Sequence, residues 1–293
     1  MDTLLFSYAE PTDPPLRRLA IRVIELFTGQ PTLKRLYVEY QRAPRPDESF
    51  FVAALRKLGI NMRLEEPDVY RIPRSGPLVV VANHPFGVLD GLAISAIVER
   101  ARPDFLVLTN AVLLRAPEAR AHLLAVDFSG QPGAQETNLQ TREAARRHLA
   151  GGGCVVVFPA GGVSTARDRL GLKPAIDARW GPFVAQLVRR AKADVLPIWF
   201  GGQNSRLFQV ASHVSLTLRL SLVFHEVKRR IGTALEVAVG EAIPFASLAG
   251  SPDLQAIADG LMRATYGLAP PSRRRARQLA ELDDLLSDQP RPR

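Results

Sequence analysis

Two short, uninterrupted apolar runs constrain the fold of this chain most strongly. Residues 78–82 and 154–158 each hold five consecutive apolar residues, the length of a buried strand. Further strands are predicted at residues 105–109, 123–127, 195–200 and 235–239. Helices are predicted between them at residues 89–99, 137–150 and 182–191, the second opening on a capping box of Thr137 and Gln140. This alternation predicts an α/β fold with a largely parallel central sheet flanked by helices.

The composition indicates a packed globular chain. Of 293 residues, 46% are apolar and 23% are charged, which excludes an intrinsically disordered protein. No apolar run approaches the ~18 to 20 residues that span a bilayer, and the first residues lack the basic region of a signal peptide. The single cysteine, Cys154, lies in a valine run and is expected in the core, in a reducing compartment.

The charge balance favours anionic partners. Lys and Arg number 38 against 29 Asp and Glu, a net charge of +9. Acidic lipid head groups and acidic carrier proteins are therefore expected partners. Nucleic acid is not, because aromatic residues are only 7% of the chain and do not alternate with basic ones.

The N-terminal region is predicted to form an amphipathic helical hairpin. Residues 16–27 and 32–41 show near-helical spacing, and residues 16–45 hold seven basic residues against two acidic ones. The predicted apolar stripe consists of Leu16, Leu19, Val23, Leu26 and Phe27. Such a hairpin either docks on an anionic membrane or covers the protein core.

Three regions follow from this pattern. Residues 1–70 are predicted to be a helical membrane-docking segment, and residues 71–269 to be the catalytic domain. Residues 270–293 are rich in Arg, then acidic, then rich in Pro, which predicts an exposed helix and a partly disordered tail.

Several familiar sites are absent from the sequence. It contains no Gly-x-Ser-x-Gly, no P-loop and no dinucleotide fingerprint. The five histidines are scattered and show no zinc-type pairing. No metal or cofactor is therefore expected.

One polar segment follows the first buried strand. His84 lies in a loop at the strand's carboxyl end, where open α/β sheets bind ligands, and Asp90 opens the next helix. A histidine there is suited to general-base catalysis, and an aspartate that folds back to Nδ1 would orient it. The alternative is that Asp90 only caps the helix and His84 is an ordinary loop residue.

A second His–Asp pair competes with the first. His122 and Asp127 are separated by four residues, but they lie in a predicted strand, where residues five apart point to opposite faces. We therefore prefer His84 and Asp90, whose loop contains glycines that allow the chain to bend.

The order of motifs resembles the glycerolipid acyltransferase superfamily, the PlsC-like lysophospholipid acyltransferases. Residues 83–91 read Asn-His-Pro-Phe-Gly-Val-Leu-Asp-Gly, a first motif one residue longer than Asn-His, four residues, Asp. Residues 158–164 read Phe-Pro-Ala-Gly-Gly-Val-Ser, where the superfamily has Phe-Pro-Glu-Gly-Thr-Arg-Ser. Residues 195–198 and 200–205 are similar to its fourth motif. The longer first motif resembles a hemolysin-like bacterial subgroup that includes acyltransferases of ornithine lipid and other aminolipids.

The resemblance implies a fatty acyl transfer from acyl carrier protein or acyl-CoA to the hydroxyl of a lyso-lipid. It implies His84 as general base and Asp90 as its orienting partner. The implied substrate-binding residues are Asn83, Phe86, Gly87, Phe158, Pro159, Gly161, Gly162, Ser164, Arg142 and Arg167. Backbone amides near Gly161 and Gly162 would form the oxyanion hole. The implied location is the cytoplasmic face of the bacterial inner membrane.

Departures from the superfamily pattern bear on the acceptor. Val163 and Ala160 stand where phosphate-acceptor enzymes carry Arg and Glu, and the second-motif region, residues 123–130, has no Arg. Unless Arg142 or Arg167 replaces the missing cation, a lyso-aminolipid such as lyso-ornithine lipid is favoured over lysophosphatidic acid. Two other functions stay open: a non-catalytic membrane-associated lipid-binding protein and an acyl thioesterase.

Overall fold

The computed structural model describes residues 14–64, 69–110, 116–127 and 133–287. Within these residues the strands are β1 (Asn61–Arg63), β2 (Leu78–Ala82), β3 (Leu106–Asn110), β4 (Leu123–Val126), β5 (Cys154–Val157), β6 (Thr165–Ala166), β7 (Ala175–Ile176), β8 (Asp194–Gly201) and β9 (Ala234–Val239). The first helices are α1 (Pro15–Thr28), α2 (Gln30–Arg42), α3 (Phe50–Lys57), α4 (Val88–Val98), a 3₁₀ helix (Pro117–His122), α5 (Ala134–Ala150) and α6 (Phe183–Ala191). The remaining helices are α7 (Arg206–Val214), α8 (Leu216–Ser221), α9 (Val223–Arg230), α10 (Phe245–Leu248), α11 (Leu254–Gly267) and α12 (Arg273–Ser287).

The described residues form a seven-stranded sheet in the order β1-β9-β8-β2-β5-β3-β4. All neighbouring pairs are parallel except β8 and β9, which run antiparallel. The central strand β2 pairs with β5 and β8 in parallel, so the loops that follow these three strands meet at one edge of the sheet. The predicted α/β fold with a largely parallel sheet is confirmed.

A hydrophobic core lies on each face of the sheet. Leu78, Val80 and Ala82 of β2 point into a first core that also contains residues of α3, α4 and α9. Val79 and Val81 point into a second core that contains residues of α5, α6, α11 and α12. Strand side chains alternate between faces, so this parity also fixes which helices lie near the loop after β2.

The predicted strands agree with the structure to within one residue at each end, but the start of one helix was wrong. Helix α5 begins at Ala134, three residues before the predicted cap at Thr137. The N–H of Thr137 already donates to the carbonyl of Gly133 (3.0 Å), so Thr137 lies inside the helix. Gly133 supplies the turn into the helix with φ +95°, which glycine adopts readily.

The C-terminal helix is not the exposed tail that the composition predicted. Leu282 and Leu286 of α12 are buried in the second core, and the side-chain amide of Gln278 donates to the carbonyl of Ala175 (3.2 Å). Leu279, Leu282 and Leu286 follow helical spacing, so the sequence did contain this signal. The last part of the predicted tail, residues 288–293, lies outside the described residues.

The predicted N-terminal helices are present as α1 and α2. Helix α1 packs against α8 and α9, and α2 contributes Leu33 to the first core. Within the described residues no helix combines the length and the apolar character needed to cross a membrane. Residues 1–13 and 65–68 of the predicted docking segment, and the side chains of Leu26 and Phe27, lie outside what the structure describes.

Candidate active site

At the start of the loop that carries His84, the side chain of Asn83 connects β2 to β8 by two hydrogen bonds. The side-chain amide of Asn83 donates to the carbonyl of Phe200 (2.9 Å), and its side-chain oxygen accepts from the N–H of Phe200 (2.7 Å). Asn83 is buried, and both ends of its amide are used by the neighbouring strand. It therefore sets the direction in which the chain leaves the sheet toward His84.

Asp90 holds the loop closed and faces the imidazole. Its Oδ2 accepts hydrogen bonds from the N–H groups of Phe86 (2.7 Å) and Gly87 (3.0 Å), and lies 3.2 Å from Nδ1 of His84. The carboxylate is fully buried, and this desolvation raises the pKa of Asp90, while the contact with His84 acts in the opposite direction. Asp90 therefore caps α4 and also contacts His84, so the two roles considered from the sequence coexist.

The longer first motif depends on a glycine. Gly87 has φ +80°, a region that L-residues with a side chain adopt rarely. A Cβ built on Gly87 would lie 3.2 Å from Cγ2 of Val163, tighter than an ordinary van der Waals contact. Gly87 thus lets the loop turn back to Asp90 while the third-motif loop packs directly on it.

The imidazole of His84 is packed on one side and open on another. Its ring centroid lies 4.1 Å from that of Phe158, and its side chain is 18% exposed. No described residue hydrogen-bonds to Nε2 of His84. Nδ1 is buried 3.2 Å from Asp90, so Nε2 is the ring nitrogen that remains for a substrate proton.

The third-motif loop lies directly beside the loop of His84. The N–H of Ser164 donates to the carbonyl of His84 (2.8 Å). The N–H of Gly161 donates to the carbonyl of Phe158 (3.0 Å), across a turn that contains the half-buried Pro159. Within the described residues no acceptor contacts the N–H of Gly162. Of the two amides expected in the oxyanion hole, Gly162 is therefore the one still able to donate.

Sequence reasoning missed a buried carboxylate behind the two loops. Asp177 accepts hydrogen bonds from the backbone N–H of His84 (3.1 Å), the hydroxyl of Ser164 (2.5 Å) and the indole N–H of Trp180 (2.9 Å). It is almost completely buried, and desolvation raises its pKa. Asp177 lies 93 residues after His84, so no local spacing in the sequence pointed to the contact.

Phe86 is packed away from solvent. A Cβ built on Gly202, in the loop after β8, would lie 2.3 Å from the tip of the Phe86 ring. The guanidinium of Arg230 lies 4.5 Å from the centroid of the same ring. Phe86 thus joins the loop of His84 to the loop after β8.

The two arginines proposed as phosphate ligands do not meet at His84. Arg142 lies over the ring of Phe183 (5.0 Å), on the sheet face of the second core. The ring of His84 stacks on Phe158, which packs against the first core. Arg167 is exposed and lines a surface cleft with Asp168, Lys173, Asp284 and Ser287, and neither His84 nor Asp90 borders that cleft.

The residues of the competing pair, His122 and Asp127, lie at opposite ends of β4. Nδ1 of His122 lies 3.1 Å from the carbonyl oxygen of Phe105, and the two rings stack at 4.4 Å. Asp127 lies beyond the other end of β4, where its backbone exchanges two hydrogen bonds with the side chain of Asn138. The structure thus brings His84 and Asp90 together and not His122 and Asp127, and the catalytic role of the first pair stays a prediction.

Comparison with known proteins places this site in a family. A family model described as Acyltransferase matches residues 32–269, which contain His84, Asp90 and the third and fourth motifs. The chain belongs to the Acyltransferase family. The superfamily and the enzyme class predicted from the sequence, an O-acyltransferase, are confirmed.

Two known proteins resemble this acyltransferase. The lyso-glycine lipid O-acyltransferase of Bacteroides thetaiotaomicron is 24% identical over 202 residues, which cover 64% of this chain and 68% of that protein. The crystal structure of the 1-acyl-sn-glycerophosphate acyltransferase PlsC from Thermotoga maritima superposes with a TM-score of 0.49 at 14% identity, over 88% of this chain and 99% of that one. The family match begins inside α2, and the domain boundary at residue 71 stays a prediction.

Proposed function

We propose that this acyltransferase moves a fatty acyl group from a thioester, acyl carrier protein or acyl-CoA, to the hydroxyl of a lyso-aminolipid. The observation that carries the proposal is the contact of His84 Nδ1 with the fully buried carboxylate of Asp90 at the carboxyl end of β2. The similarity to a lyso-glycine lipid O-acyltransferase supports an acceptor of this class.

The chemistry needs one base and an activated hydroxyl. In this proposal Nε2 of His84 takes the hydroxyl proton while the oxygen attacks the thioester carbonyl. The tetrahedral intermediate then collapses, the carbon–sulfur bond breaks, and the protonated imidazole returns its proton to the departing thiolate. Asp90 keeps the proton of the neutral ring on Nδ1 and stabilises the imidazolium that forms. General-base catalysis of this kind contributes roughly 10²- to 10⁴-fold.

The rest of the rate enhancement depends on positioning. The N–H of Gly162 is the proposed donor to the oxygen of the tetrahedral intermediate, since it lies in the loop that stacks Phe158 on His84. Asp177 holds both loops by their His84 N–H and Ser164 hydroxyl, which fixes the base relative to that donor. Orientation of two bound substrates supplies the largest remaining share.

The acceptor is proposed to be a lyso-aminolipid and not lysophosphatidic acid. Val163 and Ala160 replace the third-motif Arg and Glu, and Arg142 lies over the second core. Arg167 borders a separate cleft. A phosphate monoester, which carries close to two charges at pH 7, therefore meets neither the third-motif arginine nor either of its two expected replacements.

The N-terminal hairpin is proposed to dock the protein on the cytoplasmic face of the bacterial inner membrane. Leu16, Leu19 and Val23 of α1 are 81%, 60% and 45% exposed, whereas Ile21 is buried. Helix α1 thus presents apolar side chains that no described residue covers. Basic residues near anionic lipid add about 1 kcal/mol each, which suits the net charge of this segment.

Product analysis tests the proposal. Purified full-length protein is incubated with acyl carrier protein thioester or acyl-CoA and either lyso-glycine lipid, lyso-ornithine lipid or lysophosphatidic acid, and the lipids are measured by mass spectrometry. We expect a new ester on a lyso-aminolipid. Free fatty acid without ester would indicate a thioesterase, and no product with lipid retained would indicate a binding protein. A clear preference for lysophosphatidic acid would overturn the acceptor assignment.

A further inference from the structure

An arginine from a distant part of the chain lies against the third-motif loop. Arg219 of α8 donates a hydrogen bond through Nη2 to the carbonyl of Val163. The same nitrogen lies 3.7 Å from a Cβ built on Gly162, the proposed oxyanion donor. The next residue, Ser164, donates its N–H to the carbonyl of His84 (2.8 Å), so two hydrogen bonds connect the guanidinium to the backbone of His84.

Arg219 has no acidic partner among the described residues, unlike three other partly buried arginines. Arg102, Arg56 and Arg179 donate to Asp104, Glu48 and Asp259 at distances of 2.6 to 3.1 Å. The described residues place no carboxylate at ion-pairing distance from Arg219. Its protein contacts are the carbonyl of Val163 and the ring of Phe208, whose centroid lies 5.7 Å away. Desolvation lowers the pKa of Arg219, and no neighbouring acid opposes this effect.

The unused donors of Arg219 suit a planar anion. A guanidinium has five N–H donors in a rigid fork, of which one here goes to Val163. This fork matches the two oxygens of a carboxylate, and one arginine neutralises one negative charge. A carboxylate carries one charge at pH 7, whereas a phosphate monoester carries close to two. The one positive charge of Arg219 therefore matches a carboxylate better than a phosphate monoester.

We propose that Arg219 binds the carboxylate of the amino-acid head group of the acceptor lipid. The proposal rests on the proposed transfer to a lyso-aminolipid, and it makes Arg219 the residue that selects the head group. The hydroxyl to be acylated would then reach Nε2 of His84 from a lipid held at its other end by Arg219. Helix α8 contacts α1, so the head-group site lies beside the helix proposed to dock on the membrane.

Paired substrates and variants test the role. The wild-type chain is compared with Arg219→Gln and Arg219→Lys, and with Arg142→Gln, an exposed arginine over an aromatic ring on the other sheet face. Each variant is assayed with lyso-glycine lipid and with its methyl ester, which lacks the carboxylate. We expect Arg219→Gln to raise KM for the acid about tenfold or more, and to change kcat and the KM of the ester less than threefold. Arg219→Lys should lie between, and Arg142→Gln should match the wild type.

Equal effects of Arg219→Gln on acid and ester, or none on either, would overturn the role. So would a raised KM for lysophosphatidic acid with no change for lyso-glycine lipid. Thermal unfolding checks that each variant folds. If Arg219→Gln does not fold, Arg219→Lys still tests the role. Binding of N-dodecanoylglycine and its methyl ester, measured by calorimetry on the full chain, needs no turnover. It therefore separates failure of this role from failure of the proposed reaction: wild-type protein that binds acid and ester equally contradicts the role alone.

Discussion

Asp90 makes all of its described contacts through one carboxylate oxygen. Oδ2 faces two backbone N–H groups and Nδ1 of His84, whereas Oδ1 is buried and has no hydrogen-bond partner among the described residues. A buried oxygen without a partner costs free energy that the fold must supply elsewhere. At the scale of single residues, the buried carboxylate of Asp90 is therefore expected to lower the stability of the fold while it orients the proposed base.

His84→Ala is expected to abolish acyl transfer, with a loss of about 10²-fold or more, because it removes the base. The matched control is His122→Ala, since His122 stacks on Phe105 and contacts no residue of the proposed site. Initial rates by mass spectrometry and circular dichroism spectra check both variants. If His122→Ala loses activity and His84→Ala keeps it, the wrong pair was chosen.

Asp90→Asn is expected to lose activity while unfolding at a higher temperature than the wild type at pH 7. Burial raises the pKa of Asp90 above the unfolded value of 3.8, so the folded state holds this proton more tightly. The wild type then loses stability as pH rises from about 4 through the raised pKa, a loss that Asn cannot show. For each kcal/mol of this cost that the substitution removes, Tm should rise by roughly 2–4 °C. The difference in Tm between variant and wild type should vanish near pH 4.

Asp104→Asn is the control of opposite sign. The guanidinium of Arg102 donates to Asp104 and lowers the pKa of that carboxyl, so Asp104 stabilises the fold above its unfolded pKa. This variant should unfold at a lower temperature than the wild type at pH 7, and the difference should shrink as the pH falls. Equal and unfavourable effects of both substitutions at pH 7 would contradict the expected cost of burying Asp90.

The sequence revealed the residues that one loop contains and missed those that distant segments contribute. His84 and Asp90 stand six positions apart after an apolar run, so strand position and side-chain chemistry were enough to propose them. Asp177 and Arg219 reach the site through tertiary packing of the chain after β7 and of α8. Neither lies in a motif, and their burial became visible only with the fold.

At the scale of elements, the site is two loops joined by short hydrogen bonds. The loops after β2 and β5 meet because these strands are parallel neighbours, and Ser164 and Asp177 tie them together. Gly87 lies at the contact between the loops, where a side chain would meet Val163. The fit of one element against the other therefore depends on the absence of a Cβ.

Gly87→Ala is expected to reduce activity more than stability alone explains. The substitution imposes on alanine a positive φ that side chains rarely adopt, and it pushes the third-motif loop away from His84. Gly133→Ala is the matched control. Gly133 also precedes a helix and has a positive φ (+95°), but a Cβ built on it meets nothing within 4 Å. Both should lower Tm, and only Gly87→Ala should lower kcat. Equal kcat values would show that the loops do not need this contact.

At the scale of the whole molecule, two helices that contact α8 carry exposed apolar side chains. Helix α1 exposes Leu16, Leu19 and Val23, and α7 exposes Leu207, Val210 and Val214. Both helices contact α8. The proposed head-group site on α8 is therefore next to two helices with apolar side chains that could contact lipid.

Replacing Leu16, Leu19 and Val23 by Ser is expected to release the protein from anionic liposomes. Burial of an apolar side chain contributes about 1.5–3 kcal/mol, and these three are exposed in the fold, so Tm should stay unchanged. Substitution is a cleaner test than deletion of residues 1–45, because α2 places Leu33 in the first core. Co-sedimentation at low salt and at 1 M, where the screening length is about 3 Å, measures binding.

The control for membrane binding is Leu139→Ser, on an exposed position of α5. It should bind liposomes like the wild type. Unchanged binding of the triple variant would indicate that α1 is only a cover on the core, and would direct attention to α7.

Most of the sheet was predictable because its strands are apolar on both faces. Each of them therefore appears in the sequence as an almost uninterrupted apolar run. The short strands β1, β6 and β7 were missed, since two or three residues carry no periodic signal. Helix α12 was assigned to the surface on composition, although its leucine spacing was that of a packed helix. Composition averages over a segment, whereas packing depends on which face the apolar residues share.

The contact between Phe86 and Gly202 links two positions that lie more than a hundred residues apart. The Phe86 ring fills the space that a side chain at position 202 would need, and Gly202 has φ +125°, which favours glycine again. Among homologous sequences these two sites should therefore not diverge independently. A residue larger than glycine at 202 would need both a smaller residue at 86 and a different backbone conformation at 202, a combined change that would mark a separate lineage of the family.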